Sequence, residues 1–144
     1  MRAIGLVMVC ALCVMIVGCG RKGPPMKKTY KVTGKVLVDG KEPGSSIQME
    51  CHNTGEIDRQ MHTFSQSNTK DDGTFEIATY TSGDGVPAGE YKLTFAWQEF
   101  NLMSRSYGGP DKLKKRYSDP GKAEIKFSVV DKSVNLGEIN LTTK

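Results

Sequence analysis

From Tyr30 onward, apolar and polar residues alternate along the chain with a period of two. Tyr30, Val32, Val36 and Val38 fall on one face of an extended chain and Lys31, Thr33 and Lys35 on the other, which predicts a half-buried strand. Ile47, Met49 and Cys51 alternate with Gln48, Glu50 and His52 in the same way. Phe75, Ile77 and Thr79 make a third such face, Tyr91, Leu93, Phe95 and Trp97 a fourth, and Ile125, Phe127 and Val129 a fifth. In the last run the parity flips, because Val134 and Leu136 are followed by Ile139 and Leu141; a bulge at Gly137 would return both pairs to one face. A weaker strand is expected over 62–69, where Phe64 is the only strongly apolar residue.

Turn signals separate these runs: Asp39-Gly40, Asp71-Asp72-Gly73 and Asp84-Gly85 each offer a glycine for positive φ. No stretch repeats at 3.6 residues, and the longest irregular segment, 98–122, has room for one helical turn around Asp111–Lys115. Strands at this spacing with no helices between them predict an all-β fold, an antiparallel sandwich.

The first residues follow another rule. Met1-Arg2 is a short positive start, Ala3 to Val17 is apolar, and Ile16-Val17-Gly18-Cys19 resembles the lipobox of bacterial lipoproteins. A spanning helix needs about 20 apolar residues, whereas this run ends in Gly18-Cys19-Gly20-Arg21-Lys22. The division expected is a signal peptide over 1–18, a lipidated flexible tether over 19–29 and one domain over 30–144. The resemblance implies a protein of the cell envelope held to a membrane through lipid on Cys19. Gly20 lacks the acidic character of an inner-membrane retention signal, so the outer membrane is the expected destination, with the domain facing the periplasm or the cell surface. Cys10 and Cys13 leave with the signal, which makes Cys51 the lone thiol of the mature chain, one best kept buried. A net charge of +4 is too mild for a nucleic-acid partner.

Four blocks then carry a wider resemblance: Val32-Thr33-Gly34-Lys35-Val36 with Asp39-Gly40-Lys41; Thr69 to Phe75; Pro87-Ala88-Gly89-Glu90-Tyr91; and Arg116-Tyr117-Ser118-Asp119-Pro120. In their order and spacing the chain resembles small bacterial lipoproteins with a carboxypeptidase regulatory-like, or transthyretin-like, domain. That resemblance implies a seven-stranded Greek-key sandwich related to immunoglobulin-like folds. It brings no catalytic residues and no cofactor, only an accessory or interaction role. Lys70, where an acidic or small residue is more usual, and the extra residue in the Gly40-Lys41-Glu42-Pro43 turn are departures that bear on loop shape.

Candidate chemistry is sparse. His52 and His62 have no further ligand at metal spacing and read as two exposed histidines. No nucleophile elbow is present, so no catalytic residue is assigned. Asp71-Asp72-Gly73 and Gly83-Asp84-Gly85 do not fit a calcium loop and read as turns whose carboxylates bond backbone. Tyr80 and Trp97 could form an aromatic platform, but Trp97 shares the parity of the core positions. Tyr91, after Pro87-Ala88-Gly89, reads as a tyrosine corner. Lys112, Lys114, Lys115 and Arg116 are the sharpest charge cluster. They fit either a solvated loop balanced by Asp111 and Asp119 or a contact with anionic headgroups, lipopolysaccharide or acidic glycans. The partners expected are therefore a membrane through the anchor and an envelope protein or glycan. The alternative is a glycan- or peptide-binding module that uses the 98–122 loop with Tyr107 and Tyr117.

Overall fold

A computed structural model describes residues 23, 25–56, 58 and 61–144. The expected signal peptide, the Ile16-Val17-Gly18-Cys19 tetrad and Cys19 lie outside the described residues. In chain order the strands are β1 (Thr29–Tyr30), β2 (Val32–Val38), β3 (Gln48–Asn53), β4 (Ser65–Asn68), β5 (Thr74–Glu76), β6 (Val86–Pro87), β7 (Gly89–Ala96), β8 (Glu99–Asn101), β9 (Ser106–Gly108), β10 (Lys126–Val129) and β11 (Val134–Leu141), with one 3-10 turn over Pro120–Lys122. Seven strands build two sheets, ordered β10-β7-β3-β4 and β11-β2-β5, while β1 with β6 and β8 with β9 form short ribbons. The molecule is an all-β sandwich. Among the described residues no helix is long and apolar enough to cross a membrane.

Alternation decides what lies between the sheets. Val32, Val36 and Val38 of one sheet and Met49, Cys51, Tyr91, Leu93, Phe95, Phe127 and Val129 of the other are buried in a single core, joined by Ile47 and Ile77 just outside their strands. Gly34 occupies an inward position where a Cβ would lie 2.6 Å from the Phe75 ring, so the missing side chain is the slot that the ring fills. The parity flip in β11 is resolved as expected: register with β2 shifts between Asn135 and Glu138, and Gly137 takes φ +68 there. Ile139 and Leu141 are buried, and Val134 and Leu136 pack on the same core.

Three expectations are corrected. The sandwich is not wholly antiparallel, because β11 pairs parallel with β2. The chain leaves β10 at one end of the sandwich and changes sheets through a short turn, so β11 starts beside the start of β2; everything between β2 and β11 is the crossover that a parallel pair needs. The weak strand begins at Ser65, and Phe64 is 52% exposed. Opposite Cys51 and Met49, the inward residues of β4 are Ser65 and Ser67, and Ser65 Oγ shares a 2.7 Å hydrogen bond with Thr79 Oγ1. Finally, Asp111–Lys115 makes consecutive turns but no helix, since Lys114 and Lys115 have φ of 55° and 58°, which a right-handed helix cannot contain.

Lys27 and Thr29, inside the 19–29 expected as a tether, touch the domain. The Lys27 backbone N–H donates to Tyr80 Oη at 3.0 Å, Lys27 Nζ lies 2.8 Å from Asp58, and Thr29 and Tyr30 pair with Pro87 and Val86. The chain is therefore laid on the domain from Lys27. Among the described residues the buried core runs from Val32 to Leu141.

Candidate functional site at the far end of the sandwich

Strand β7 sets the geometry. The β1–β6 ribbon lies beside its start and the β8–β9 hairpin follows its end, so the point where the N-terminal chain joins and the hairpin are at opposite ends. Eight strand residues separate them by about 25 Å.

At the far end, one carboxylate orders the segment after the hairpin. Asp111 Oδ1 accepts from the N–H groups of Trp97 and Leu113, and Oδ2 from that of Lys115, all at 2.9 Å. This folds 111–116 over the end of β7 and drives Leu113 into the core, where it is fully buried. The four cations of the cluster then divide. Lys112 Nζ sits 3.2 Å from Glu99 and 5.1 Å from the centre of the Trp97 ring, so its charge is already partnered. Lys114, Lys115 and Arg116 are exposed and form no ion pair among the described residues.

The hairpin carries what the sequence pattern did not disclose. Phe100 packs edge-on against its cross-strand partner Tyr107, with ring centres 5.1 Å apart. Beyond that pair the tip displays Leu102 and Met103, 82% and 98% exposed, beside Phe100 at 49%. Asn101 Oδ1 accepts from the N–H groups of Met103 at 2.9 Å and Ser104 at 3.2 Å, so the turn is internally bonded. The segment looked irregular because each strand has three residues, too few for alternation to register. The readable trace was Phe100 and Tyr107 flanking an adjacent Leu-Met pair.

The two candidate ligand tyrosines do not form one platform. Tyr117 packs edge-on against Phe95 at 6.4 Å, and its hydroxyl accepts from the Thr142 N–H at 3.1 Å, which makes it a structural side chain. Tyr107 donates to Ser46 Oγ at 3.3 Å and lines an open groove of about 730 Å³ with Gln48, Glu50, Gln66, Asn68 and Gln98. Trp97 packs against the core and its Nε1 donates to Ser45 Oγ at 2.8 Å, while Tyr80 lies at the other end with Lys27.

The remaining candidates resolve into local structure. Asp84 accepts from the N–H groups of Thr79, Tyr80 and Thr81. Asp72 Oδ1 accepts from both the N–H and the hydroxyl of Thr74, bonds that hold its carboxyl below the usual range. Asp39 is held low in the same way, by Thr143 and Thr142, and so secures the C-terminal residues. The Tyr91 hydroxyl donates to the Pro87 carbonyl at 2.9 Å, the expected corner. His52 and His62 line one cavity of about 180 Å³, with His52 Nε2 2.8 Å from Thr94 Oγ1. No group of three or more metal-ligating side chains occurs among the described residues. Cys51 is buried, and desolvation pushes its thiol up to about 12.

No family model and no curated protein matches the chain. Among solved structures, part of a 9R-lipoxygenase from Cyanothece PCC8801 is similar, at 16% identity and a TM-score of 0.41. The match covers 81% of this chain but 17% of the lipoxygenase, and a likeness of that degree carries neither fold nor activity across.

Proposed function

We propose that the chain is a non-enzymatic lipoprotein of the cell envelope, tethered through Cys19 and displaying one β-sandwich whose far end faces away from the anchor. The observation behind this reading is the joining of two facts: a signal-like segment closing in Ile16-Val17-Gly18-Cys19, and a chain that enters the domain at the end opposite the hairpin. With lipid on Cys19, residues 20–26 can span at most about 20 Å between it and Lys27. Stable attachment takes two or more acyl chains, so Cys19→Ser is expected to move the protein to the soluble fraction or leave it unprocessed. Mass spectrometry of the mature N-terminus decides the matter, since an intact Met1 or an unmodified Cys19 would exclude the anchor. The outer membrane is the location proposed, testable by fractionating the two membranes where the source cell has both.

A second reading, a glycan-binding module, is favoured by one feature: Tyr107 and a row of amide side chains share the open groove. Saturating such a site at a hundred times its dissociation constant adds about 2.7 kcal/mol of stability. Absence of any thermal shift across a panel of envelope polysaccharides would remove this reading.

A further inference from the structure

We propose that the β8–β9 tip and the neighbouring basic turn form a docking surface for an anionic lipid leaflet. Phe100, Leu102 and Met103 enter the boundary between headgroups and acyl chains, and Arg105, Lys114, Lys115 and Arg116 meet the headgroups. The inference deepens the reading above by naming what the far end contacts, a leaflet other than the one that holds Cys19, since about 25 Å along β7 separates the tip from the point where a tether of about 20 Å enters; it uses none of the residues of the anchor.

Three features of the hairpin support it. The first is exposure: two adjacent large apolar side chains, 82% and 98% exposed, stand at the point of a projecting turn. The other exposed apolar residues, such as Met26, Phe64 and Val130, are scattered over separate segments. A convex apolar point suits a yielding lipid interface, whereas protein surfaces usually receive a flat or concave patch.

The second is the backbone. An N–H buried in an apolar medium without a partner is costly. Here Asn101 already takes the N–H groups of Met103 and Ser104, and Ser104 Oγ lies 2.9 Å from Ser106 Oγ, so the tip brings few unsatisfied donors with it.

The third is charge placement. The basic turn is tied to the base of the hairpin through the Lys112 N–H to the Trp97 carbonyl, the Lys112–Glu99 pair and the Gln98 side chain on the Gly109 carbonyl. Cations therefore gather behind the apolar point rather than on it, with Arg105 on the tip's flank. Strand β8 carries the point forward by about 7 to 10 Å, comparable with the depth to which apolar side chains enter a bilayer interface. Glu99 is neutralised by Lys112, and against the one charge of Asp111 stand Lys114, Lys115 and Arg116, so the local charge is net positive.

The test uses residues 23–144, which span every buried core residue described and lack Cys19, so failed lipidation would leave it untouched; a cooperative melting transition first shows that this piece folds. Co-sedimentation is measured with vesicles of phosphatidylcholine alone and with about 30% phosphatidylglycerol, at about 0.01 M and 0.15 M salt. The wild-type chain is expected to bind the anionic vesicles at low salt and weaken as salt rises. Lys114→Gln, Lys115→Gln and Arg116→Gln together should weaken binding about a hundredfold, at roughly fivefold per cation. Leu102→Ser with Met103→Ser should weaken it about tenfold or more at either salt concentration, through lost apolar burial. Melting curves matching wild type would confirm that both variants fold. No binding at low salt overturns the proposal, as does binding unchanged in the Leu102→Ser, Met103→Ser variant, which would reduce the contact to adsorption of charge. A concentration-dependent dimer that this variant abolishes, without vesicle binding, would overturn it too, assigning the tip to a second copy of the chain.

Discussion

The two ends of the sandwich are ordered by the same device and put to opposite use. At the near end, Asp84 gathers the N–H groups of Thr79, Tyr80 and Thr81; at the far end, Asp111 gathers those of Trp97, Leu113 and Lys115. Each carboxylate rigidifies a loop that would otherwise lack partners for its backbone. At the near end the result is closure. Gly85, at φ +87, lets the chain press on the Tyr30 carbonyl, where a Cβ would come within 1.8 Å, and the β1–β6 ribbon and the Tyr91 corner complete the seal. At the far end the same economy anchors a projection, with Leu113 inward as a plug while Leu102 and Met103 stay in water. An exposed apolar tip on a rigid base differs in kind from a loose loop, because its side chains are presented in a fixed place.

If the far-end projection is rooted by its plug, Leu113→Ala should destabilise the whole domain by about 2 to 5 kcal/mol. That is comparable with the 3 to 5 kcal/mol or so expected for Phe95→Ala or Phe127→Ala in the core proper. The outward Lys92→Ala and Lys126→Ala should each change stability by about 0.5 kcal/mol or less. Urea denaturation measures all five, and a Leu113→Ala cost as small as that of the lysines would mean that the basic turn is not rooted and the comparison fails.

The near-end seal should show itself next, and in alkaline solution. Burial raises the Tyr91 hydroxyl from its ordinary 10.0 to about 12, and likewise the Cys51 thiol from 9.0 to about 12. The folded chain holds both protons more tightly than the unfolded one. Their contribution is therefore fully present below pH about 9 and is lost as pH climbs toward 12. Tyr91→Phe removes one titrating group and the bond to Pro87, so it should cost about 1 kcal/mol near neutrality and make the alkaline decline shallower. Stability that stays level between pH 9 and 12 in the wild type would contradict this account of the near end.

The smallest effect is expected at the tip. Leu102→Ser and Met103→Ser, each at a position with little contact in the folded chain, should shift the urea midpoint by no more than about 0.5 kcal/mol equivalent. A larger loss would show that the tip folds back on the domain in solution.

Much of this was legible beforehand where one rule acted alone. The inward positions of β2, β3 and β7, the bulge at Gly137, the corner at Tyr91 and the burial of Cys51 all follow from alternation and local turn chemistry. The basic cluster was legible as charge, but not its division into a partnered Lys112 and three cations without an ion pair among the described residues, because Glu99 and the Trp97 ring reach Lys112 only through the tertiary fold. Tyr117 read as a candidate ligand contact because a lone aromatic between polar residues gives no periodic clue, yet it packs on Phe95.

By itself the amino-acid sequence determined that the chain is all-β, which residues face the core, and that its first segment resembles a lipoprotein signal, since all three depend on patterns within a few residues. Only the tertiary structure decided that β11 runs parallel to β2, that the N-terminal chain and the hairpin stand at opposite ends, and that Leu102 and Met103 share that far end with Lys114, Lys115 and Arg116. These are relations between segments far apart in the chain. They are fixed by which faces must be buried together, and that choice belongs to the whole core rather than to any window of sequence.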